Sequence, residues 1–579
     1  MRFRWSLHPP QPLLADRLAQ DLKISHLLAQ CLVNRGLCEP TYIGNYLEPR
    51  LKHLSDPFLL PDMDIAVERL FQAHLKKEPL VIFGDYDVDG VTSSALLLEV
   101  LRSLGWTVHS YLPHRMDEGY GLSKEAAENC LKKFPVSLLL AVDCGSTSVE
   151  SIRILKERGV DVIVLDHHQI SSPAPAAFAL VNPQRQLVAI NSNGTHQSRI
   201  FTELCSVGLA FKLAHAIVKR GRETNLPGAA DYDLRPLLDL VALGTVADVV
   251  PLMGENRIVV TAGLERLNST RRPGLIALKR VAQSPIRVGT YEVGFQLAPR
   301  LNAAGRLETA EAALNLLLAR DMATAMPLAQ QLDAQNRERQ KIERGIAEEA
   351  IASVRARFNP DNDFVIVEGQ MLWHIGVVGI VASRVLQQFY RPTIIVGGEG
   401  TQLRGSGRSI AGFDLAAALR ECGDLLVRHG GHAMAAGISI LSSNLEPFRI
   451  RLNDVARRML KVEELQPPLQ LDAEVGFEEI TLESLATLDR LKPVGQGNPP
   501  IQFVARNLTH QRPLQRLGNN KQHVKMWLTD GAITHESVWW GAGQNSLPVG
   551  QFDLAFTPKS EIYNGRRVIQ LKTLDWQAA

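Results

Sequence analysis

A doubly wound α/β fold is predicted for the first large domain from three observations: apolar runs of five or six residues, amphipathic stretches between them, and glycines closing the helices. From Pro79 the order is PLVIFGD, VTSSALLLEVLRSLG, WTVHSYLP, SKEAAENCLKKF, SLLLAVDCG, SVESIRILKERG and DVIVLDHH. Strands this apolar have no polar face for solvent, so helices must cover both sides of a parallel sheet. Gly105 and Gly159 stand where two of those helices should end.

After Asn182 and Pro183 strands become scarce. Helices are expected over about 202–220, 234–243, 256–267 and 308–318, then a long one from about 323 to 357. Its middle, Gln335 to Arg344, is almost wholly polar, as expected for an exposed connector between domains. A second, smaller α/β domain follows: DFVIVEG, GIVASRVLQQF and PTIIVGG, a Gly-rich polar hairpin TQLRGSGRSIAGF, a helix, and AMAAGISI. Gln466 to Pro468 reads as a linker. Beyond it, IQFVARNL, HVKMWLTD, SVWWGAG, FDLAFTP and RVIQLKTLDW, with turn residues at Gly518–Asn520 and Asn564–Gly565, predict a small β-barrel. The expected division is an N-terminal segment 1–50 without assigned role, a first domain 51–320, a connector helix 321–360, a second domain 361–461 and an all-β barrel 462–579.

A length of 579 residues accommodates three or four such domains and excludes a single small binding module. With 63 Lys+Arg against 61 Asp+Glu, a net charge of +2 gives no global field for a polyanion, so any nucleic-acid site must be a local patch. The six cysteines are scattered without a C-x-x-C pair, which argues against zinc or a disulfide framework and fits a reducing cytoplasm. The N-terminus runs into Pro9, Pro10 and Pro12 with no apolar core for a signal peptide, and no run of 18 apolar residues predicts a membrane span.

In open α/β sheets ligands bind beyond the carboxyl ends of the strands. Here those ends are acidic: Asp85, Asp87 and Asp89 in GDYDVDG, Asp143 in VDCG, and Asp166, His167 and His168 in LDHH. Asp248 adds a carboxylate in an apolar setting, LVALGTVADVVPL. One such aspartate is ordinarily a solvated loop residue or helix cap. A converging set repels itself unless cations neutralise it, so a divalent metal site follows. Oxygen ligands suit Mg2+ or Mn2+, and a neutral His167 imidazole tips the balance toward Mn2+. A carboxylate shared by two ions would suit phosphate-ester hydrolysis. For His168, contact with phosphate and packing on the strand are both open.

The strings GDYDVDG, VDCG, LDHH and TVADVVPL, in this order, resemble the DHH phosphoesterase superfamily, whose name comes from the triad at Asp166 to His168. PHRMDEGYG (113–121), RLNAAGR (300–306), GSGRS (405–409), GGHAMAAG (430–437) and VGQGNP (494–499) are similar to segments of its bacterial single-strand-specific exonucleases, extending the resemblance over roughly 50–579. That resemblance implies DHH and DHHA1 domains followed by an OB-fold. It implies 5′→3′ hydrolysis of single-stranded DNA to 5′-mononucleotides, in recombination and repair. It also implies two ions, Mn2+ or Mg2+, one held by Asp89, Asp143, His167 and Asp248, the other by Asp87 and Asp143 with Asp85 close by. Asp143 would bridge them, and His168 and His432 would complete the catalytic set.

Arg404, Ser406 and Arg408 lie among glycines that let backbone N–H groups approach an anion, although an exposed hairpin would look the same. The resemblance assigns Ser406 and Arg408, with Arg115, to a terminal 5′-phosphate pocket. Arg300, Asn302 and Arg306 would grip the backbone near the scissile bond, with helix capping as the alternative. The substrate cleft is then expected between the two α/β domains. In the barrel, Arg506, Arg512, Arg516, Lys521 and Lys525 occur from Phe503 to Thr529 without Asp or Glu. Interleaved aromatics make a single-strand-binding surface the expectation. The partner is single-stranded DNA and the chain a monomer; a helicase or single-strand-binding protein supplying the strand is left open. Two other functions compete: a DHH phosphodiesterase of short oligonucleotides or cyclic dinucleotides, which the C-terminal barrel argues against, and a non-cutting DNA-binding scaffold, which the full set of ligand positions argues against.

Overall fold

Five strands build the first sheet: the wholly apolar β1 (Leu80–Gly84), β3 (Leu138–Val142) and β5 (Ala179–Val181), with β2 (Val108–Tyr111) and β4 (Asp161–Leu165). All pair in parallel, in the order β2-β1-β3-β4-β5. The connecting helices are α1 (Val88–Ser103), α2 (Lys124–Lys133) and α3 (Val149–Glu157). The order reverses between β1 and β3, which makes their carboxyl ends the switch point where doubly wound sheets bind ligands. The computed structural model describes residues 3–119, 121–188, 201–307, 309–543 and 545–579.

Helices α4 (Ser206–Glu223), α5 (Leu238–Ala247), α6 (Gly254–Asn268), α7 (Pro273–Val281), α8 (Ala298–Leu307) and α9 (Glu311–Leu318) follow. Helix α1 packs against α4 and α5, and its residues Val88 to Leu98 are all buried. Helix α7 and the helical state of RLNAAGR within α8 were not anticipated from sequence.

The long helix α10 (Met322–Arg357) is present, and its polar stretch is exposed at Arg337, Glu338, Gln340, Lys341 and Arg344, but not throughout. Asp333, Asn336, Arg339 and Glu343 are buried. Ion pairing makes that burial tolerable: Asp333 meets Arg300 and Arg337, and Glu343 meets Arg339 and Arg384.

The second sheet comprises β6 (Ile366–Gly369), β7 (Thr393–Gly397), β8 (Gln402–Arg408), β9 (Leu426–Gly431) and β10 (Ala435–Leu441), ordered β9-β10-β8-β7-β6. Helices α11 (Val378–Phe389), α12 (Leu415–Glu421) and α13 (Leu445–Met459) accompany it. The segment expected to be a Gly-rich hairpin is instead a central strand, β8, antiparallel to both β7 and β10. Its glycines serve packing: a Cβ on Gly405 would lie 2.4 Å from Val396 Cγ1, and one on Gly407 2.6 Å from Leu415 Cδ2. The strand period of two then puts Arg404, Ser406 and Arg408 together on the other face.

The C-terminal strands are β11 (Phe503–Leu517), β12 (His523–Thr529), β13 (Thr534–Trp539), β14 (Phe552–Tyr563) and β15 (Arg566–Ala578). They pair in the order β11-β12-β13-β15-β14, and β14 returns to β11, closing a five-stranded barrel without free edges. Phe503, Phe552 and Phe556 fill its interior.

By contact density the chain divides into two units, Gly44–Arg337 with Leu491–Pro499, and Met1–Ile43 with Glu338–Arg490 and Pro500–Ala579. Neither is contiguous. Residues 491–499 belong to the first unit because the buried Arg257 guanidinium collects the carbonyls of Leu491, Lys492 and Pro493, while Leu252 N–H donates to Gln496. In the second, a strand begins at the last residue of the expected linker: Pro468–Leu471 pairs in parallel with Arg4–Leu7. Asp472 accepts from Arg35 Nε at 2.8 Å and from Gln502 N–H at 2.8 Å. Among the described residues no helix is long and apolar enough to cross a membrane.

Removing the Asp472 carboxylate strands a poorly exposed guanidinium. Asp472→Ala should lower unfolding free energy by about 3 kcal/mol, measured by urea denaturation; a loss below about 1 kcal/mol would assign the pair no more weight than a surface ion pair.

Candidate metal centre

The ladder of the first sheet continues one residue past each strand: Asp85 N–H donates to Val142, Asp143 N–H to Leu165 and Asp166 N–H to Val181. This register sets three aspartates in a row along the carboxyl edge. Asp87 caps α1 by accepting from Gly90 N–H, and Asp89 sits in the first turn of that helix. The turn is tight: a Cβ on Gly90 would lie 2.5 Å from the Asp85 carbonyl oxygen, so only glycine lets α1 start here without displacing the acidic loop. Asp248 closes α5 and His167 follows β4.

These side chains converge. His167 Nε2 lies 3.5 Å from Asp248 Oδ2, 3.6 Å from Asp143 Oδ1 and 3.9 Å from Asp89 Oδ2. Each separation is too long for a good hydrogen bond, and His167 Nε2 and Asp248 Oδ2 are buried without one. On the other side of Asp143, carboxylate oxygens of Asp85, Asp87 and Asp143 lie within 4.8 Å of one another. Asp143 is common to both groups, buried, and held at φ 63°, a left-handed backbone that costs energy in a non-glycine residue.

The electrostatics of this arrangement ask for a cation. Burial, followed by the Asp87 charge, pushes the Asp89 carboxyl up to about 7. Burial and then the charges of Asp87, Asp89, Asp85 and Asp248 drive Asp143 well above the carboxylate range. Asp248 is raised to about 9, by burial and then by Asp89 and Asp87. His167 is lowered to about 4 by burial and by the His168 charge, which leaves a neutral imidazole suited to ligation. The unbonded His167 Nε2 and Asp248 Oδ2, mutually repelling carboxylates and a neutral imidazole fit divalent ions.

Asp166 has a different task. Its Oδ2 accepts from Ser146 N–H and its Oδ1 accepts from the N–H of His168, whose ring Nδ1 lies 2.7 Å away. Burial works to raise the Asp166 carboxyl, but the His168 bond and charge outweigh it and hold it low. Burial likewise opposes protonation of His168, yet the Asp166 bond and charge raise that ring to about 9. A cationic donor therefore stands beside the carboxylates.

Sequence reasoning overlooked the first turn of α4. Ser206 N–H and Val207 N–H donate to the two oxygens of Asp89 at 2.7 and 2.8 Å, and Ser206 Oγ lies 2.9 Å from Asp143 Oδ1. An 18-residue helix thus directs its positive end at the buried aspartates. Cys205 shares a cluster with Asp89 and Asp248, but burial and then those charges keep it a neutral thiol. Acidic strand ends were conspicuous in sequence; this helix was expected from about residue 202, but nothing marked its start, some 60 residues beyond Asp143, as facing the aspartates.

The other expected binding residues are placed as follows. Arg300 pairs with Asp333 at 2.9 Å and donates to Gln296 O, so its guanidinium is committed within the fold. Asn302 Oδ1 accepts from Val88 N–H, bracing the acidic loop, and Arg306 lies one turn farther along α8. Arg115 begins a short helix, Arg115–Glu118, with its side chain outside the described residues. In the second sheet, Arg408 Nη1 donates to Ser406 Oγ, and a Cβ on Gly379, in the first turn of α11, would meet both side chains at 3.1 to 3.2 Å. His432 is exposed in the β9–β10 turn.

In the barrel, the absence of acids between Phe503 and Thr529 does not leave every base free. Arg506 pairs with Asp553 and Glu474, and Lys525 with Glu536, because neighbouring strands supply the carboxylates. Arg516 donates to the Gly543 carbonyl and Lys521 lies in the β11–β12 turn. Arg512 stacks on Trp527 at 3.9 Å, and Trp540, 55% exposed, meets His523 edge-on.

Residues 79–245 match the DHH family, N-terminal domain, 362–458 the DHHA1 domain, and 471–575 the RecJ OB domain. The single-stranded-DNA-specific exonuclease RecJ of Bacillus subtilis is 37% identical over 580 residues, covering 99% of this chain and 71% of the relative. The chain belongs to the RecJ family. The RecJ of Escherichia coli is 36% identical, with 94% of each chain covered. Among solved structures, Thermus thermophilus RecJ in complex with Mn2+ superposes with a TM-score of 0.84 at 29% identity, over all of this chain and 80% of that one. The same enzyme with Mg2+ gives 0.78 at 27%, covering 100% and 79%. Fold and family agree with the DHH, DHHA1 and OB architecture expected from sequence.

If repulsion among carboxylates is the cost that a cation offsets, Asp248→Asn should raise the melting temperature of EDTA-treated protein while shrinking the stabilisation that Mn2+ confers. Wild type should gain about 2.7 kcal/mol at a hundredfold excess over Kd; an unchanged Mn2+ shift in the variant would count against Asp248 as a ligand. Gly90→Ala should weaken Mn2+ binding at least about tenfold by calorimetry, since its methyl group forces the Asp85 to Asp89 loop outward.

Proposed function

We propose that this chain is a metal-dependent 5′→3′ exonuclease of single-stranded DNA, releasing 5′-mononucleotides during recombination and repair. The observation that carries the reading is the pair of ligand groups sharing Asp143: Asp89, His167 and Asp248 on one side, Asp85 and Asp87 on the other. Each group would hold one divalent cation, Mn2+ or Mg2+, which when bound activates water and stabilises the oxygens of a displaced phosphodiester.

The protein's own groups account for the rest. Asp166 fixes Nδ1 of His168, leaving the other nitrogen of a half-exposed cationic ring to hydrogen-bond a phosphate oxygen. Asp89 and Asp143 stay in place because α4 donates to both. Ser406 and Arg408, beside the first turn of α11, suit a terminal 5′-phosphate. Attack of water on phosphorus with cleavage of the P–O3′ bond frees a nucleotide with a 3′-hydroxyl and leaves a new 5′-phosphate on the strand. Each turnover thereby regenerates the end that this pocket would hold. On the barrel, Trp527 with Arg512 stacked on its ring combines an aromatic face with positive charge, as single-strand surfaces do. Among the described residues all six cysteines are free thiols, in keeping with a reducing cytoplasm.

Digestion of 5′-labelled and 3′-labelled single-stranded DNA with Mn2+ tests the reading. Wild type should release labelled mononucleotide at once from the 5′ end, and Asp143→Ala should lose at least about three orders of magnitude in rate. Release from the 3′ end alone would overturn the polarity. Trp527→Ala should weaken binding of a long strand about tenfold in filter binding while sparing hydrolysis of very short oligonucleotides; equal loss on both would make the tryptophan structural.

A further inference from the structure

A second cleft, of about 780 Å³, lies in the metal-bearing unit at the ends of α1 and α5 remote from the aspartates. Helix α1 starts at Asp87 and Asp89 and reaches the cleft with Glu99 and Arg102; α5 starts there with Asp239 and finishes at Asp248. The 16 residues of α1 at about 1.5 Å each separate the two sites by roughly 20 Å.

Its charge is one-sided. The floor is neutralised internally: the largely buried Arg272 donates to Glu99 at 2.7 Å and lies 3.4 Å from Asp239, which also accepts from Thr270 Oγ1. Both acids are thereby committed. Arg266, Arg271 and Arg320 line the same cleft, exposed; among the described residues none forms an ion pair within 4 Å, and Arg266 acts only at longer range on Asp233, which is bound by Arg235. Guanidinium groups gathered around one cavity repel one another until an anion enters, and their planar forks match phosphate oxygens. The start of α7 adds its positive end at Pro273. Leu318 and Pro236 supply apolar wall, and the volume falls within the range of small-ligand sites.

We propose that this cleft binds a phosphorylated ligand of nucleotide size, with phosphates on Arg266, Arg271 and Arg320 and the base against Leu318 and Pro236. A single cleft of this volume, with Leu318 and Pro236 beside the arginines, suits a free nucleotide better than a polynucleotide backbone, which calls for an extended track of charge.

Equilibrium dialysis of the full chain with radiolabelled ADP in EDTA, where no metal can recruit phosphate to the aspartates, tests this. Saturable binding of one ADP per chain is expected. The triple variant Arg266→Gln, Arg271→Gln, Arg320→Gln should raise Kd at least tenfold with an unchanged melting temperature, and Asp143→Ala should bind like wild type. Inorganic phosphate should bind more weakly than ADP. The proposal fails on absence of saturable ADP binding, on loss in Asp143→Ala but not in the triple variant, or on phosphate binding as tightly as ADP. It fails too if the triple variant loses affinity for a twelve-residue oligothymidylate while ADP does not bind wild type, an outcome that would make the cleft part of a nucleic-acid track.

Discussion

Mutual repulsion among buried carboxylates is the constraint around which the metal-bearing unit is built. A sheet edge that gathers Asp85, Asp143 and Asp166 in register, with Asp87, Asp89 and Asp248 brought up by helix ends, is unfavourable in water and more so when buried. The fold does not relieve this by exposure. It meets it with oriented dipoles, the N–H groups of Ser206 and Val207 on Asp89, and with one imidazolium bound to Asp166. What these leave unbalanced is the charge that divalent ions neutralise, so affinity for metal and instability without it are two sides of one design.

Much of that centre was legible in the sequence because its components are local. Five-residue apolar runs announced β1, β3 and β4, and parallel strands buried on both faces leave their carboxyl ends as the place for chemistry. Asp166 was visible as a strand-end acid, but its service to His168 rather than to a ligand group depends on which way the carboxylate turns. Ser206 was invisible because its role comes from where α4 begins in space. The second sheet shows the opposite error: LRGSGR looked like a turn because glycines favour turns, whereas Gly405 and Gly407 are glycines because Val396 and Leu415 press on the strand. In α10, polarity suggested exposure, yet Asp333 and Glu343 are buried against arginines. Composition alone cannot distinguish a solvated charge from a paired one.

The near-zero net charge of the chain resolves into separate populations. Acids collect at the metal centre; many arginines are spent internally, Arg257 on backbone carbonyls, Arg272 on Glu99 and Asp239, Arg300 on Asp333. The barrel follows the same habit, with Arg506 and Lys525 paired and Arg512 stacked on Trp527. Surface charge therefore overstates what is available to a polyanion, and an aromatic flanked by bases is a more selective feature than a count of lysines and arginines.

Pairing of Arg4–Leu7 with Pro468–Leu471 bears on how the chain is made. Residues 4–7 cannot find their partner until about 460 further residues have been synthesised. At a translation rate of about 5–20 residues per second, residues 4–7 wait on the order of half a minute or more. Meanwhile the sheet of β1 to β5, all of whose strands lie between residues 80 and 181, can form on its own schedule. Closure of the second unit is thereby a late event, timed by translation rather than by the metal centre.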